Sequence, residues 1–137
     1  MRYPVKLKAD GPYFVVTFPD VPPAITQGDS KEDALLHALD ALETVLMYAF
    51  GTGEAIPLPS PLKRGQAWVE LPPTVAAKVF LHNEMLRQKV RPIDLARRMG
   101  IPRQELTRML DLRHNTKIDT TAQALAALGK RLELRVA

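Results

Sequence analysis

The chain opens on alternation. Tyr3-Pro4-Val5-Lys6-Leu7-Lys8 sets apolar against polar residues with a period of two, the pattern of a half-buried strand. Ala9-Asp10-Gly11-Pro12 interrupts it as a turn, with Asp-Gly supplying positive φ. Tyr13-Phe14-Val15-Val16-Thr17-Phe18 is β-branched and aromatic and predicts the second strand of a hairpin. Pro19-Asp20-Val21-Pro22-Pro23 breaks the pattern, and Ala24-Ile25-Thr26-Gln27 predicts a third short strand that ends at Gly28. The period then changes. Leu35, Ala38, Leu39, Leu42, Val45, Leu46 and Ala49 recur at helical spacing behind Ser30, an N-cap residue, with Asp33 as an acidic capping-box partner. The helix is expected to run to about Phe50 and to stop at Gly51 and Gly53. Ile56-Pro57-Leu58-Pro59-Ser60-Pro61 excludes helix and makes a poor strand. Trp68-Val69-Glu70-Leu71 predicts a fourth strand returning to the sheet.

Pro72-Pro73 marks a boundary, and beyond it the pattern is helical. Thr74 is expected to cap a helix reaching about Lys89, with Val75, Val79, Leu86 and Val90 on one face. Pro92 suits the first turn of a short second helix that ends at Gly100, and Pro102 the first turn of a third that reaches about Leu112. Asp119 is expected to cap a fourth helix through Leu128, closed by Gly129. Arg131-Leu132-Glu133-Leu134-Arg135-Val136 alternates again and predicts a terminal strand with Leu132, Leu134 and Val136 inward. The fold class is α+β. A βββαβ sandwich occupies residues 1–71, and an all-α domain with a short terminal strand occupies residues 72–137.

Residues 92–111 carry the most specific pattern. A helix-turn-helix needs a small residue where two short helices touch, a turn residue that tolerates positive φ, and apolar residues inside both helices. Ala96, Gly100, Leu95, Met99, Ile101, Leu106 and Met109 meet those demands in register. With Leu106, Met109 and Leu110 inward, the open face of the third helix carries Arg103, Gln104, Thr107 and Arg108, side chains able to reach base edges in a major groove. Glu105 is expected to pack aside or to cap. The loop Arg113-His114-Asn115-Thr116-Lys117 follows and offers phosphate donors from Arg113, Asn115 and Lys117. Lys89, Arg91, Arg97 and Arg98 flank the second helix. The bland alternative is a helical hairpin with the same packing and solvated charges.

Charge sharpens this picture. The net formal charge is +4 over 137 residues. Residues 1–65 hold six Lys/Arg against eight Asp/Glu, whereas residues 66–137 hold thirteen against seven. A near-neutral, slightly acidic half and a basic half suit two different partners, the second a polyanion. The chain has no cysteine, which excludes disulfide scaffolds and thiolate metal sites and suits a reducing cytoplasm. The N-terminus has no apolar run of the secretory type, and no stretch approaches the roughly 20 apolar residues of a membrane span. A cytoplasmic protein without membrane association is expected.

Catalytic chemistry finds little support. His37, His82 and His114 lie on separate elements, without a second histidine or carboxylate at ligand spacing, and His37 and His82 are expected on helix faces or the surface. There is no nucleophile elbow, no phosphate loop and no cofactor motif. Asp10, Asp20, Asp29 and Asp33 gather near the strands, as the acids of a metal-dependent nuclease do, but these are turn and cap positions where Asp is ordinary.

The first half resembles the HicB antitoxin family. The matching stretches are Tyr3-Pro4-Val5, Gly11-Pro12-Tyr13-Phe14-Val15-Val16, Phe18-Pro19-Asp20-Val21-Pro22, Thr26-Gln27-Gly28-Asp29-Ser30, Glu32-Asp33-Ala34-Leu35 and Ile56-Pro57-Leu58-Pro59-Ser60-Pro61. The chain departs from many members at Pro23-Ala24, where they carry a glycine. The resemblance implies a first domain similar to a truncated ribonuclease H fold, without that fold's complete acidic site and without activity. It implies a HicA-type toxin partner, a small basic protein that cleaves mRNA. It also implies a second domain that binds operator DNA and represses its own operon, and assembly as a homodimer or dimer of dimers. Asp10, Tyr13, Asp20, Ile56, Pro57 and Leu58 are the expected toxin-contact residues. The terminal strand is expected to pair across the dimer, because a lone edge strand is a liability. Two other readings stay open: a stand-alone repressor whose first domain senses a small ligand in a buried polar pocket, and a nuclease with converging carboxylates.

Overall fold

The hairpin forms with a tighter turn than expected: Ala9 and Asp10 pair with Phe14 and Tyr13, leaving Gly11-Pro12 as the turn. In the computed structural model, which describes residues 1–137, β1 (Arg2–Pro4) and β2 (Lys6–Asp10) are followed by β3 (Tyr13–Thr17) and β4 (Ile25–Gly28). β2, β3 and β4 make an antiparallel meander, with Asp10 opposite Tyr13 and Thr17 opposite Ile25. The single first strand expected from the sequence is two. At Val5 the chain changes partner, and β1 pairs with β5 (Trp68–Glu70) in a separate two-stranded ladder, Tyr3 opposite Val69. The returning strand therefore does not join the meander. Pro4 has no N–H to extend a ladder, and the next donor, Val5 N–H, goes to Ala67 O at 2.9 Å.

α1 (Lys31–Thr52) covers the meander. Ser30 caps it, accepting the Asp33 N–H at 3.0 Å, while the Asp33 carboxylate accepts the Asp29 N–H at 2.9 Å. Ala34, Ala38, Leu42 and Leu46 form its buried stripe. The small alanines let helix and sheet approach closely. A Cβ at Gly28 would stand 2.3 Å from the Ala34 backbone nitrogen, so only glycine fits there. By length and composition α1 is apolar enough to cross a membrane, which amends the expectation that no stretch comes near a span. In the fold its stripe packs on the sheet and its first turn carries Glu32 and Asp33.

The chain divides into two compact units, Met1–Thr52 with Pro57–Pro72, and Gly53–Ile56 with Pro73–Ala137. The second consists of α2 (Pro73–Gln88), α3 (Pro92–Met99), α4 (Arg103–Met109) and α5 (Ile118–Ala127). Leu81, Met85, Leu95, Ala96, Leu106, Met109, Ala124, Leu125 and Leu128 make its core. Gly100 closes α3 at φ 66°, and Ile101 and Gly100 N–H return to Ala96 O at 3.1 Å and Arg97 O at 3.2 Å, a Schellman pair. Val90 N–H to Met85 O closes α2 in the same manner, with Lys89 taking the left-handed position at φ 56°.

Several sequence expectations for this unit are corrected. α2 begins at Pro73, so Thr74 lies inside its first turn and is not its cap. Leu86 is exposed, while α2 buries residues on further faces, including Lys78 and His82. His82 is covered by the Gly53–Ile56 segment, and Lys78 by the end of α4 and the loop after it. Asn83 accepts the Ile56 N–H through Oδ1 and donates to Ile56 O through Nδ2, both at 2.9 Å, and His82 Nε2 donates to Glu54 O at 2.6 Å. His82 is therefore a buried structural residue. Asp119 lies in the first turn of α5 and is not its cap, which is Lys117. Residues 131–137 form no strand. Leu132 packs on the core, but Leu134 and Val136 are 75% and 98% exposed, not inward. A strand needs a ladder partner, and the single chain offers this segment none.

Candidate nucleic-acid interface and partner surface

α4 is short and divided cleanly between inside and outside. Leu106 and Met109 are buried, while Arg103, Gln104, Thr107 and Arg108 are all exposed. The helix thus presents the four expected side chains together. Thr107 Oγ1 donates to Arg103 O at 3.1 Å, which leaves its hydroxyl oxygen free to act as an acceptor. Glu105 neither packs aside nor caps: it is exposed, and the N-cap of α4 is Pro102, which makes no side-chain cap bond. Its carboxylate in the first turn suits the positive helix end.

Arg113, Asn115 and Lys117 are likewise exposed, on the loop that follows α4. That loop is tied down. Arg113 N–H donates to Asp111 Oδ1 at 3.0 Å, His114 N–H to Asp111 O at 3.1 Å, and His114 Nδ1 lies 3.1 Å from the hydroxyl of buried Thr116. A groove of about 260 Å³ runs between helix and loop, with Arg108, Asn115 and Lys117 on its walls. Lys78, 1% exposed, reaches the same helix end and loop: its ammonium donates to Asp111 O and His114 O at 2.6 Å each and to Arg108 O at 3.4 Å. Burial pushes this lysine below its usual pKa, and the Asp111 carboxylate pulls it back up. Donating to all three carbonyls at once takes the three N–H groups of the charged form. Sequence reasoning missed Lys78, because nothing in a helical pattern distinguishes a buried lysine from a solvated one.

Of the flanking charges, Arg97 and Arg98 are exposed on the last turn of α3, and Lys89 is exposed beyond α2. Arg91 is engaged: its Nε meets Asp94 Oδ2 at 3.1 Å, which raises the arginine and lowers the aspartate from their ordinary pKa values.

In the first unit the expected contact residues part company. Asp10 and Tyr13 are exposed and opposite one another at the hairpin end. Pro57 and Leu58 are exposed as well. Asp20 is committed internally, since its carboxylate accepts Ser60 N–H at 2.7 Å and Ser60 Oγ–H at 2.6 Å and pins the proline-rich segment. Tyr3, wholly buried, donates its hydroxyl to Pro57 O at 2.7 Å. Burial, and then the Asp20 charge, push that hydroxyl up to about 12. Ile56 is buried and belongs to the second unit, so it is withdrawn from that surface. The outer face of β2 and β3 holds a hollow of about 630 Å³ lined by Lys6, Leu7, Lys8, Asp10, Val15 and Thr17. Lys6, Lys8 and Asp10 are exposed there, so it is a surface depression and not the buried pocket of a ligand sensor. No three acidic or histidine side chains converge as a metal site would require.

Comparison with known proteins places these features in a family. Residues 2–80 match the family of HicB-like antitoxins of bacterial toxin–antitoxin systems. The chain is 50% identical over 138 residues to antitoxin HicB 1 of Photorhabdus laumondii, covering 99% of this chain and 87% of that protein. It is 46% identical over 136 residues to antitoxin HicB of Escherichia coli K12, covering 98% of each. Antitoxin HicB of Pseudomonas fluorescens is 36% identical over 118 residues, 85% of this chain and 81% of its own length.

Proposed function

The chain belongs to the HicB-like antitoxin family of bacterial toxin–antitoxin systems, and from that premise we propose a two-part, non-enzymatic mechanism. The first unit binds a HicA-type toxin and covers its mRNA-cleaving surface. The second binds operator DNA and represses the operon that encodes the pair.

The DNA part rests on one observation: Arg103, Gln104, Thr107 and Arg108 stand together on the exposed face of a helix whose other face is fully buried, beside a tied-down loop offering Arg113, Asn115 and Lys117. Arg pairs bidentately with guanine and Gln with adenine, while the loop meets phosphates. The toxin part is supported by family membership and by charge, since the first 65 residues hold eight Asp/Glu against six Lys/Arg and complement a basic partner. Asp10, Tyr13, Pro57 and Leu58 are its accessible contact residues; Asp20 holds the proline-rich segment in shape for them.

Operator recognition by two half-sites requires a two-fold dimer. The tail supplies a means. Two copies of residues 131–137 paired antiparallel about Leu134 set Leu132 opposite Val136 and Glu133 opposite Arg135, so that every charged pair is of opposite sign. Centring on Glu133 instead would set Arg131 against Arg135.

The two parts are separable. A chain carrying Arg103→Ala and Arg108→Ala should still protect cells against the cognate toxin while losing repression of its promoter. Loss of both activities together, or of neither, would contradict the division.

A further inference from the structure

The strongest unused feature is the buried ammonium of Lys78. A lone buried charge is costly and persists where its partners hold it. Here the partners are carbonyls of one particular place. Arg108 O belongs to the last turn of α4, where it also accepts the Asp111 N–H at 3.1 Å, and the negative helix end there favours a cation. Asp111 O and His114 O flank the turn that His114 N–H closes. One side chain of α2 thus joins the C-terminal end of α4 to the loop that carries Arg113, Asn115 and Lys117. At 1% exposure it cannot itself touch a phosphate.

We propose that Lys78 is a positioning residue for DNA reading: its ammonium sets the loop of residues 111–117 against α4, so that base-reading and phosphate-holding side chains reach one duplex in a fixed geometry. The inference rests on the DNA-reading role of α4 proposed above. A rigid loop binds without losing conformational freedom on contact. A loop freed from the ammonium keeps its positive charges and loses their placement.

The test compares full-length wild type, Lys78→Met and Arg103→Ala for binding to promoter DNA and to unrelated DNA across a salt series, with amide exchange on the free proteins. Lys78→Met should retain its helical circular dichroism and lose about 10–100-fold in promoter affinity. The slope of log affinity against log salt should become shallower by one to two phosphate contacts, although the deleted charge is buried. Exchange should quicken at Arg113 and His114 and stay slow in α2 and α5. If Lys78→Met binds with wild-type affinity and slope while Arg103→Ala is weakened, the positioning role is wrong and the reading of α4 stands. If Arg103→Ala also binds as wild type, the reading of α4 itself fails. Where Lys78→Met does not fold, Lys78→Gln, which keeps two donors, is measured in its place. It should fall between wild type and the arginine variant, with the shallower slope. A domain that unfolds in both lysine variants contradicts the proposal, because the ammonium would then be a requirement of the fold.

Discussion

Tyr3→Phe isolates one buried hydroxyl and has a signature in pH. The Tyr3 ring is wholly buried, and its hydroxyl donates to Pro57 O at 2.7 Å. Removing the hydroxyl at neutral pH loses one hydrogen bond and leaves the carbonyl without that donor, about 1 kcal/mol. The larger effect lies at high pH. The folded hydroxyl titrates near 12 against an ordinary 10.0. A group raised on folding contributes stability that is fully present below its unfolded pKa and is lost as pH rises through the folded one. Between pH 10 and 12 the unfolded chain releases this proton and the folded chain keeps it, so wild-type stability should fall by about 1.4 kcal/mol per pH unit, about 2.7 kcal/mol in all. The informative quantity is the difference between wild type and variant, in which every other group's contribution cancels. Urea unfolding, followed by the fluorescence of the single Trp68 of β5, should show Tyr3→Phe less stable than wild type at pH 8 and more stable near pH 12. Parallel curves across the range would refute the argument and mean that the hydroxyl is hydrated in the fold.

Two further perturbations probe the scaffold and the assembly. Gly28→Ala places a methyl group 2.3 Å from the Ala34 nitrogen, so the backbone of α1 or β4 must shift; a loss of about 3 kcal/mol in thermal unfolding is expected, and a variant within about 0.5 kcal/mol of wild type would show that the contact is looser. The chain has no cysteine, so Leu134→Cys reports on tail pairing by itself: across a two-fold at residue 134 the two Cα atoms lie roughly 4.5–5.5 Å apart, within disulfide range. Mild oxidation should give a covalent dimer faster from Leu134→Cys than from Glu133→Cys, and equal rates would exclude that register.

The legible parts were local ones. Ala96, Gly100, Leu95 and Leu106 announce the α3–α4 turn because their spacing and the positive φ of Gly100 are properties of neighbouring residues. The capping of α1 by Ser30 and Asp33 is equally local. What escaped depended on partners distant in sequence. The break at Val5 follows from the pairing of β1 with residues 68–70. The burial of Ile56 and His82 follows from Asn83 and Glu54, and that of Lys78 from carbonyls 30 or more residues away. Backbone carbonyls leave no mark in a side-chain pattern. The tail alternates as a strand should, but alternation specifies a face and not a partner. The residues expected at a toxin surface divided for the same reason: Asp20 reads as a loop acid until Ser60 is placed upon it.

The measurement that tests the central claim most directly is binding to DNA from the chain's own promoter across a salt series, with wild type beside Arg103→Ala and Arg108→Ala. The account predicts a steep decline of affinity with salt, and a loss of roughly 1–3 kcal/mol for each substitution on the promoter site, with little change of that size on unrelated DNA. No specific binding, or specific binding indifferent to both arginines, would mean that the exposed face of α4 does not read DNA.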